Sequence, residues 1–177
     1  MVRLRKAGAG DIKLVRAILA AVAADLATRF GPGHWSTVRS AESLRKYASS
    51  GVLYVVEADA LAVGTLHLTT RKIGFYKEDW FKGRPGPVGY LLDMAVHPSH
   101  QRRGIGRHSM ELVEGLARLA GLRAIRLDAY RGPAGAGEFY KKCGYASVHK
   151  GEMRGVALEY FEKSLPRSDL TAGLKAR

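Results

Sequence analysis

The stretch from Tyr90 to about Tyr145 constrains this chain more than any other. It opens with an apolar run, Tyr90-Leu91-Leu92-Asp93-Met94-Ala95-Val96, closed by His97-Pro98-Ser99, and so reads as a buried strand ended by turn residues. A short basic segment with two glycines follows, Gln101-Arg102-Arg103-Gly104-Ile105-Gly106-Arg107-His108. Beyond it, Ile105, Met110, Leu112, Val113, Leu116, Leu119 and Ala120 recur at helical spacing, and Gly121 closes the helix. A strand, a glycine loop and a helix N-terminus in that order form a site for phosphate. The first-turn N–H groups have no intrahelical partner, and the macrodipole adds partial positive charge. Gly104 and Gly106 carry no Cβ to hold a ligand away, and Arg102, Arg103 and Arg107 supply full charges for a polyanion.

Gly104-Ile105-Gly106 with Ser109 nearly fits the dinucleotide fingerprint, with Asp128 at a suitable distance for a ribose-binding acid. Two features oppose that reading. His97 to Arg103 intervene between strand and glycine, where the fingerprint wants its first glycine in the tight turn. Three arginines also crowd a loop that, in a dinucleotide site, relies on backbone and dipole.

Gln101-Arg102-Arg103-Gly104-Ile105-Gly106 resembles the Q/R-x-x-G-x-G/A loop of the GCN5-related N-acetyltransferases (GNAT). Met94-Ala95-Val96-His97-Pro98 is similar to that family's fourth strand and its exit, and Glu138-Phe139-Tyr140-Lys141-Lys142-Cys143-Gly144-Tyr145 to its "FYxKxGF" segment. The resemblance covers roughly Leu91 to Tyr145. It implies an α/β (α+β) fold with a mixed, mostly antiparallel central sheet, helices on its faces and a V-shaped splay between strands four and five. It also implies acetyl-coenzyme A bound at the loop and acetyl transfer to an amine.

Composition narrows the alternatives. At 177 residues, 46% hydrophobic and 25% charged, the chain suits one ordinary globular domain with a core. No apolar run is long enough to cross a membrane, and Met1-Val2-Arg3-Leu4-Arg5 lacks an export signal's apolar centre. One cysteine, Cys143, excludes an internal disulfide and fits a reducing, cytoplasmic setting. The net charge of +13 is spread along the chain without dense runs or flanking aromatics, which speaks against nucleic-acid binding. A polyphosphate cofactor accounts for part of it.

Along the chain, Val2–Lys6 reads as a strand, and Asp11 as the N-cap of a helix reaching about Phe30. Gly31-Pro32-Gly33 breaks that helix, and Ser40 caps a second, Ala41–Ser49. Val52–Ala58 and Leu61–Thr70 form a hairpin, in which Gly64 marks a bulge or a close backbone approach. Gly74–Pro87 is a long, aromatic-rich loop. After the organising stretch come a strand, Ala124–Ala129, and a short helix from about Ala134 to Cys143. Tyr145–His149 and Val156–Lys163 read as a closing strand pair. Residues 1–165 are expected to form a single domain and Pro166–Arg177 a polar tail.

Acetyl transfer needs a held cofactor, a polarised carbonyl, a neutral amine and an acid for the departing thiolate. Backbone groups of Met94, Ala95 and Val96 can pair with an extended cofactor arm as with an added strand, and an N–H there can polarise the carbonyl. Tyr140 matches the family's tyrosine by position, and the resemblance implies a general acid; a phenol stays protonated at neutral pH. Its alternative is a packed aromatic on a short helix. Relatives carry Glu or His where Tyr90 stands, so Asp93 is the nearest candidate for base or amine-orienting group, unless a neighbouring hydroxyl or arginine satisfies it. Strict alternation puts Asp93 on the face opposite Tyr90 and Met94. The family's asparagine after strand five is replaced by Arg131-Gly132-Pro133.

Family topology implies that the acceptor pocket draws on His34, Trp35, Tyr76 and Trp80, whose alternative is to lie against the core. His97, His100 and His108 have no common metal-site spacing, so no metal is expected. The resulting expectation is an N-acetyltransferase acting on a small-molecule amine, or less readily a protein, in a ternary complex. The partners exclude a membrane, and a homodimer is compatible with the sequence. The competing reading is a non-catalytic acyl-coenzyme A sensor or basic nucleic-acid binder on the same fold.

Overall fold

The computed structural model describes residues 1–81 and 86–166. In chain order they form β1 (Val2–Lys6), α1 (Ile12–Phe30), α2 (Ala41–Ser49), β2 (Leu53–Ala58), β3 (Leu61–Thr69) and β4 (Val88–Val96). α3 (Ile105–Leu119), β5 (Ala124–Tyr130), α4 (Gly137–Lys142), β6 (Ala146–Met153) and β7 (Val156–Ser164) follow. The seven strands make one sheet in the order β1-β2-β3-β4-β5-β7-β6. Every pairing is antiparallel except β4 with β5. The mixed, mostly antiparallel sheet expected from the resemblance is the observed one. Of the expected polar tail only Pro166 is among the described residues.

Alternation along the strands sends side chains to two cores. Val56, Leu66, Leu91, Val96, Leu127 and Phe161 pack with Met110, Val113 and Ala117 of α3 and with Tyr140. On the opposite face Leu53 and Val55 pack with Ile12 and Val15 of α1 and Leu44 of α2. Further along that face an aromatic cluster of Tyr76, Phe81, Tyr90 and Tyr160 is buried with Leu158 beneath the loop after β3. Arg126 pins that loop. Its Nε donates to Glu162 at 2.7 Å, its Nη1 to Glu78 at 2.7 Å, and its guanidinium lies 4.0 Å from the Phe81 ring centre. The pair is shielded and charge-assisted, so losing one partner would strand a buried charge.

Two expectations about local structure hold and two change. Ser40 caps α2, its hydroxyl accepting from the Ser43 N–H at 3.2 Å. Gly64 makes the close approach expected of it, since a Cβ there would lie 2.6 Å from the Ala95 carbonyl oxygen. Asp11 precedes α1 but does not cap it with its side chain. Arg5 takes that carboxylate instead, at 2.7 and 2.8 Å, with the Gly8 N–H at 2.8 Å, and holds its pKa at about 2. The second change concerns Asp93. Between the pairs Thr65–Ala95 and His67–Leu92, two residues of β4 face the single Leu66 of β3. Asp93 sits in this bulge at φ 49°, in the left-handed region. The bulge inverts the alternation. Tyr90 and Leu92 pack with the aromatic cluster, Met94 and Val96 with α3, and Asp93 turns toward His67.

Candidate active site

β4 and β5 pair only over Val88–Tyr90 and Ala124–Arg126. Past Tyr90 the strands part. β4 continues on β3 to Val96, and β5 continues on β7 to Tyr130. The side of β4 that faces β5 therefore has no strand partner among the described residues over Leu91–Val96, the segment containing Met94, Ala95 and Val96. Ladder groups left open in this way are receptors for an extended ligand.

At the end of β4 the glycine loop turns into α3. Gln101 is drawn back, its Nε2 donating to the Val96 carbonyl at 2.8 Å. His97 and His100 hydrogen-bond through Ser99 Oγ at 2.8 and 2.9 Å and close the turn. Arg102 and Gly104 both take left-handed backbone, at φ 58° and 78°. Gly104 is the N-cap residue, and α3 begins at Ile105 with no side-chain cap and no acid in its first turn. The first-turn amides of Ile105, Gly106 and Arg107 thus lack an intrahelical partner, beside the charges of Arg102, Arg103 and Arg107. A Cβ on Gly106 would meet the Phe139 ring at 3.4 Å and Met94 Cε at 4.0 Å, so the loop, β4 and α4 converge there.

Inside the splay, Tyr140 of α4 is 7% exposed and packs against Tyr145 and Phe161. Burial, reinforced by the negative charge of Asp128, pushes its phenol well above the ordinary value, so it is protonated at any neutral pH. Asp128 comes from the neighbouring β5. Burial raises its pKa, while a hydrogen bond from the Tyr76 hydroxyl, which opposes that rise, fixes its orientation. From β4, Asp93 accepts from Arg39 Nε on both oxygens at 3.0 Å, and its Oδ2 lies 3.9 Å from His67 Nδ1. The His67 ring stacks on Tyr47 at 4.0 Å. Burial lowers its pKa, so it is neutral at physiological pH, and its buried Nδ1 has no hydrogen-bond partner among the described residues.

The remaining aromatics divide. Trp35 stands edge-on to Tyr130 at 5.6 Å with its Nε1 donating to the Gly31 carbonyl, which brings the segment between α1 and α2 to the open end of β5. His34 lies in the same turn. Tyr76 is buried among Phe81, Tyr90 and Tyr160 and touches the cleft through Asp128. Trp80 stacks flat on His149 at 4.0 Å and leans on Tyr160, over the β6–β7 end of the sheet. Arg39 and His67 join the site without having been singled out by pattern, and Asp128, which the sequence offers only as the ribose acid of the disfavoured dinucleotide reading, joins it from β5.

A sheet opened between its fourth and fifth strands, with an uncapped helix start at the fork, is the architecture of a coenzyme A-dependent acyltransferase. The sequence matches the acetyltransferase (GNAT) family over residues 21–145, most of its length, and the chain belongs to that family. No curated protein matches it in sequence. Among solved structures, a GNAT acetyltransferase from Listeria monocytogenes superposes with a TM-score of 0.72 at 16% identity, over 93% of this chain and 95% of the other. PaiA N-acetyltransferase from Thermoplasma acidophilum, solved with coenzyme A, gives 0.71 at 16% identity over 93% and 99%. Ard1 from Thermoplasma volcanium gives 0.68 at 16% identity over 94% and 99%. At these identities the likeness is one of fold.

Proposed function

We propose that this acetyltransferase moves an acetyl group from acetyl-coenzyme A to a primary amine of a small molecule, with both bound at once. The observation that carries the reading is the fork itself. β4 has no strand partner past Tyr90 on its β5 side among the described residues, α3 starts uncapped beyond the end of that strand, and the buried phenol of Tyr140, within charge reach of Asp128 on β5, is protonated. The residues present fit the coenzyme. The amides of Gly104, Ile105, Gly106 and Arg107 receive the diphosphate, with Gln101, Arg102 and Arg103 shaping and charging the loop. Gly106 carries no Cβ, and one there would sit in van der Waals contact with Phe139. Met94, Ala95 and Val96 pair with the extended arm along the open side of β4. PaiA, of the same fold, holds coenzyme A.

The bound coenzyme supplies a thioester whose carbonyl carbon forms a bond to the amine nitrogen as its bond to sulfur breaks. Tyr140 gives its proton to the departing sulfur. Asp128, with a pKa raised by burial, takes the proton that the nitrogen loses, directly or through water, and solvent restores Tyr140. Asp93 orients the amine. No nucleophile is required of the protein, and Cys143 is unsuited to the part because burial raises its thiol pKa. Thiol release from acetyl-coenzyme A in the presence of a broad amine panel tests the reading. Release with at least one primary amine is expected. Tight coenzyme binding without turnover of any amine would point instead to an acyl-coenzyme A sensor.

A further inference from the structure

The acceptor can be narrowed, on the basis of the acetyltransferase reading just given. We infer that it is zwitterionic, a small amine with a carboxylate on the carbon that bears the nitrogen, and that Arg39 reads the carboxylate. Arg39 stands on the segment between α1 and α2, just ahead of the Ser40 cap. Its Nε alone spans both oxygens of Asp93, at 3.0 Å each. A guanidinium serving only to neutralise a carboxylate would set two parallel N–H bonds against its two oxygens. Here the two terminal amino groups remain, and no acceptor takes Nη1 or Nη2 among the described residues. The Arg39 side chain is 43% exposed while its partner Asp93 is 15% exposed. One end of the guanidinium is therefore anchored on Asp93 and the other end is open to a ligand.

The charges around it set what that ligand can be. The Arg39 charge acts on Asp93, Asp128 and His67, and on the phenols of Tyr47 and Tyr130. A single fixed cation thus stands among two carboxylates, with His67 neutral beside them. A protonated amine arriving at Asp128 is matched there, and it gives one proton to solvent before it attacks as the neutral amine. If it carries nothing else, the two terminal amino groups of Arg39 stay without an acceptor among the described residues. A diamine would set a second cation against Arg39. A carboxylate on the amine's own carbon would give Nη1 and Nη2 a forked partner, with the nitrogen on the side of Asp128, whose carboxyl already feels the Arg39 charge. The edge-on pair of Trp35 and Tyr130 bounds the space and favours a small ligand over a polypeptide end. A protein N-terminus also lacks the carboxylate at that position.

The test compares kcat/KM, by thiol release, for a set of α-amino acids, each beside its decarboxylated amine and its amide. The amino acids should win by about 10- to 100-fold, the worth of a charge-assisted hydrogen-bonded pair. In Arg39→Gln that ratio should collapse toward one. If this variant does not fold, as judged by its unfolding curve, the ratio in the unaltered protein decides alone. Decarboxylated amines or amides used as well as the amino acids would overturn the inference and leave the acetyltransferase reading standing. Coenzyme binding by calorimetry with no turnover of any amine would sink both.

Discussion

In the proposed site the two ends of the cleft would hold their ligands by opposite means. At the α3 end the proposed grip is main chain. Left-handed turns at Arg102 and Gly104 aim successive amides outward, and the side chains contribute long-range charge. At the α4 end the work falls to side chains brought from four places: Arg39 ahead of α2, Asp93 on β4, Asp128 on β5 and Tyr140 on α4. Backbone sites resist substitution so long as the chain can still make the turn. Side-chain sites fail with one atom. The second end should therefore show the steeper response to conservative changes, and the first should respond to bulk alone.

The sharpest challenge to that contrast is Tyr140→Phe, which deletes one oxygen and keeps the packing. We expect kcat to fall about 10²- to 10⁴-fold, the range for losing a general acid. The coenzyme dissociation constant, by calorimetry, should hold within about twofold. Retained turnover would remove Tyr140 from the chemistry. Asp128→Asn comes next, with an expected loss of about 10²-fold in kcat/KM. Its signature is in the pH profile. A base must be unprotonated to act, and burial raises the Asp128 pKa, so activity should climb with pH along a limb above the ordinary carboxylate range. The variant should lose that limb. A limb that persists in Asp128→Asn and vanishes in Asp93→Asn would move the base to Asp93.

At the backbone end the expected effects are smaller. Gly106→Val puts methyl groups where a Cβ already meets Phe139 at 3.4 Å, on the helix turn that faces the ligand. Coenzyme affinity should weaken about tenfold, roughly 1.4 kcal/mol, while kcat at saturation stays near the original. Equal loss in both would mean that the change reaches the side-chain end. Arg103→Ala, which removes a charge and leaves every amide, should do less than Gly106→Val.

The same contrast explains what could be read in the sequence. The glycine loop is contiguous, so its chemistry is spelled in one run from Gln101 to Arg107. α2 was also legible, because the Ser40 cap and the Ala41–Ser49 helix are local. The acceptor end depends on distant events. Asp93 faces His67 only because β4 carries one residue more than β3 opposite Leu66, an irregularity that alternation cannot foresee. Asp11 looks like a helix cap until folding brings the Arg5 fork across it. Asp128 acquires its environment from the loop after β3, which Arg126 fastens down so that Tyr76 covers it. The cover itself, Tyr76, lies far from Asp128 in the chain, so the strand's own sequence does not announce it.

The smallest effect concerns stability and tests whether Asp128 is held at an energetic disadvantage. A carboxyl whose pKa is raised by folding binds its proton more tightly in the native state than in the unfolded one. Its contribution is fully present below the unfolded pKa, near 3.9, and is lost as pH rises through the higher native value. At pH 8 the wild-type protein therefore carries a buried carboxylate at a cost. Asp128→Asn removes the charge and keeps an oxygen to accept from the Tyr76 hydroxyl. The variant should melt at a higher temperature than the wild type at pH 8, with the gap closing toward pH 4. A variant less stable than wild type at pH 8 would mean that the Tyr76 bond to the ionised carboxylate outweighs its desolvation. In that event the Asp128 pKa lies lower than burial implies, and the base must be sought at Asp93. A side-chain site poised for proton transfer is expected to be costly to the fold, whereas an amide nest is not.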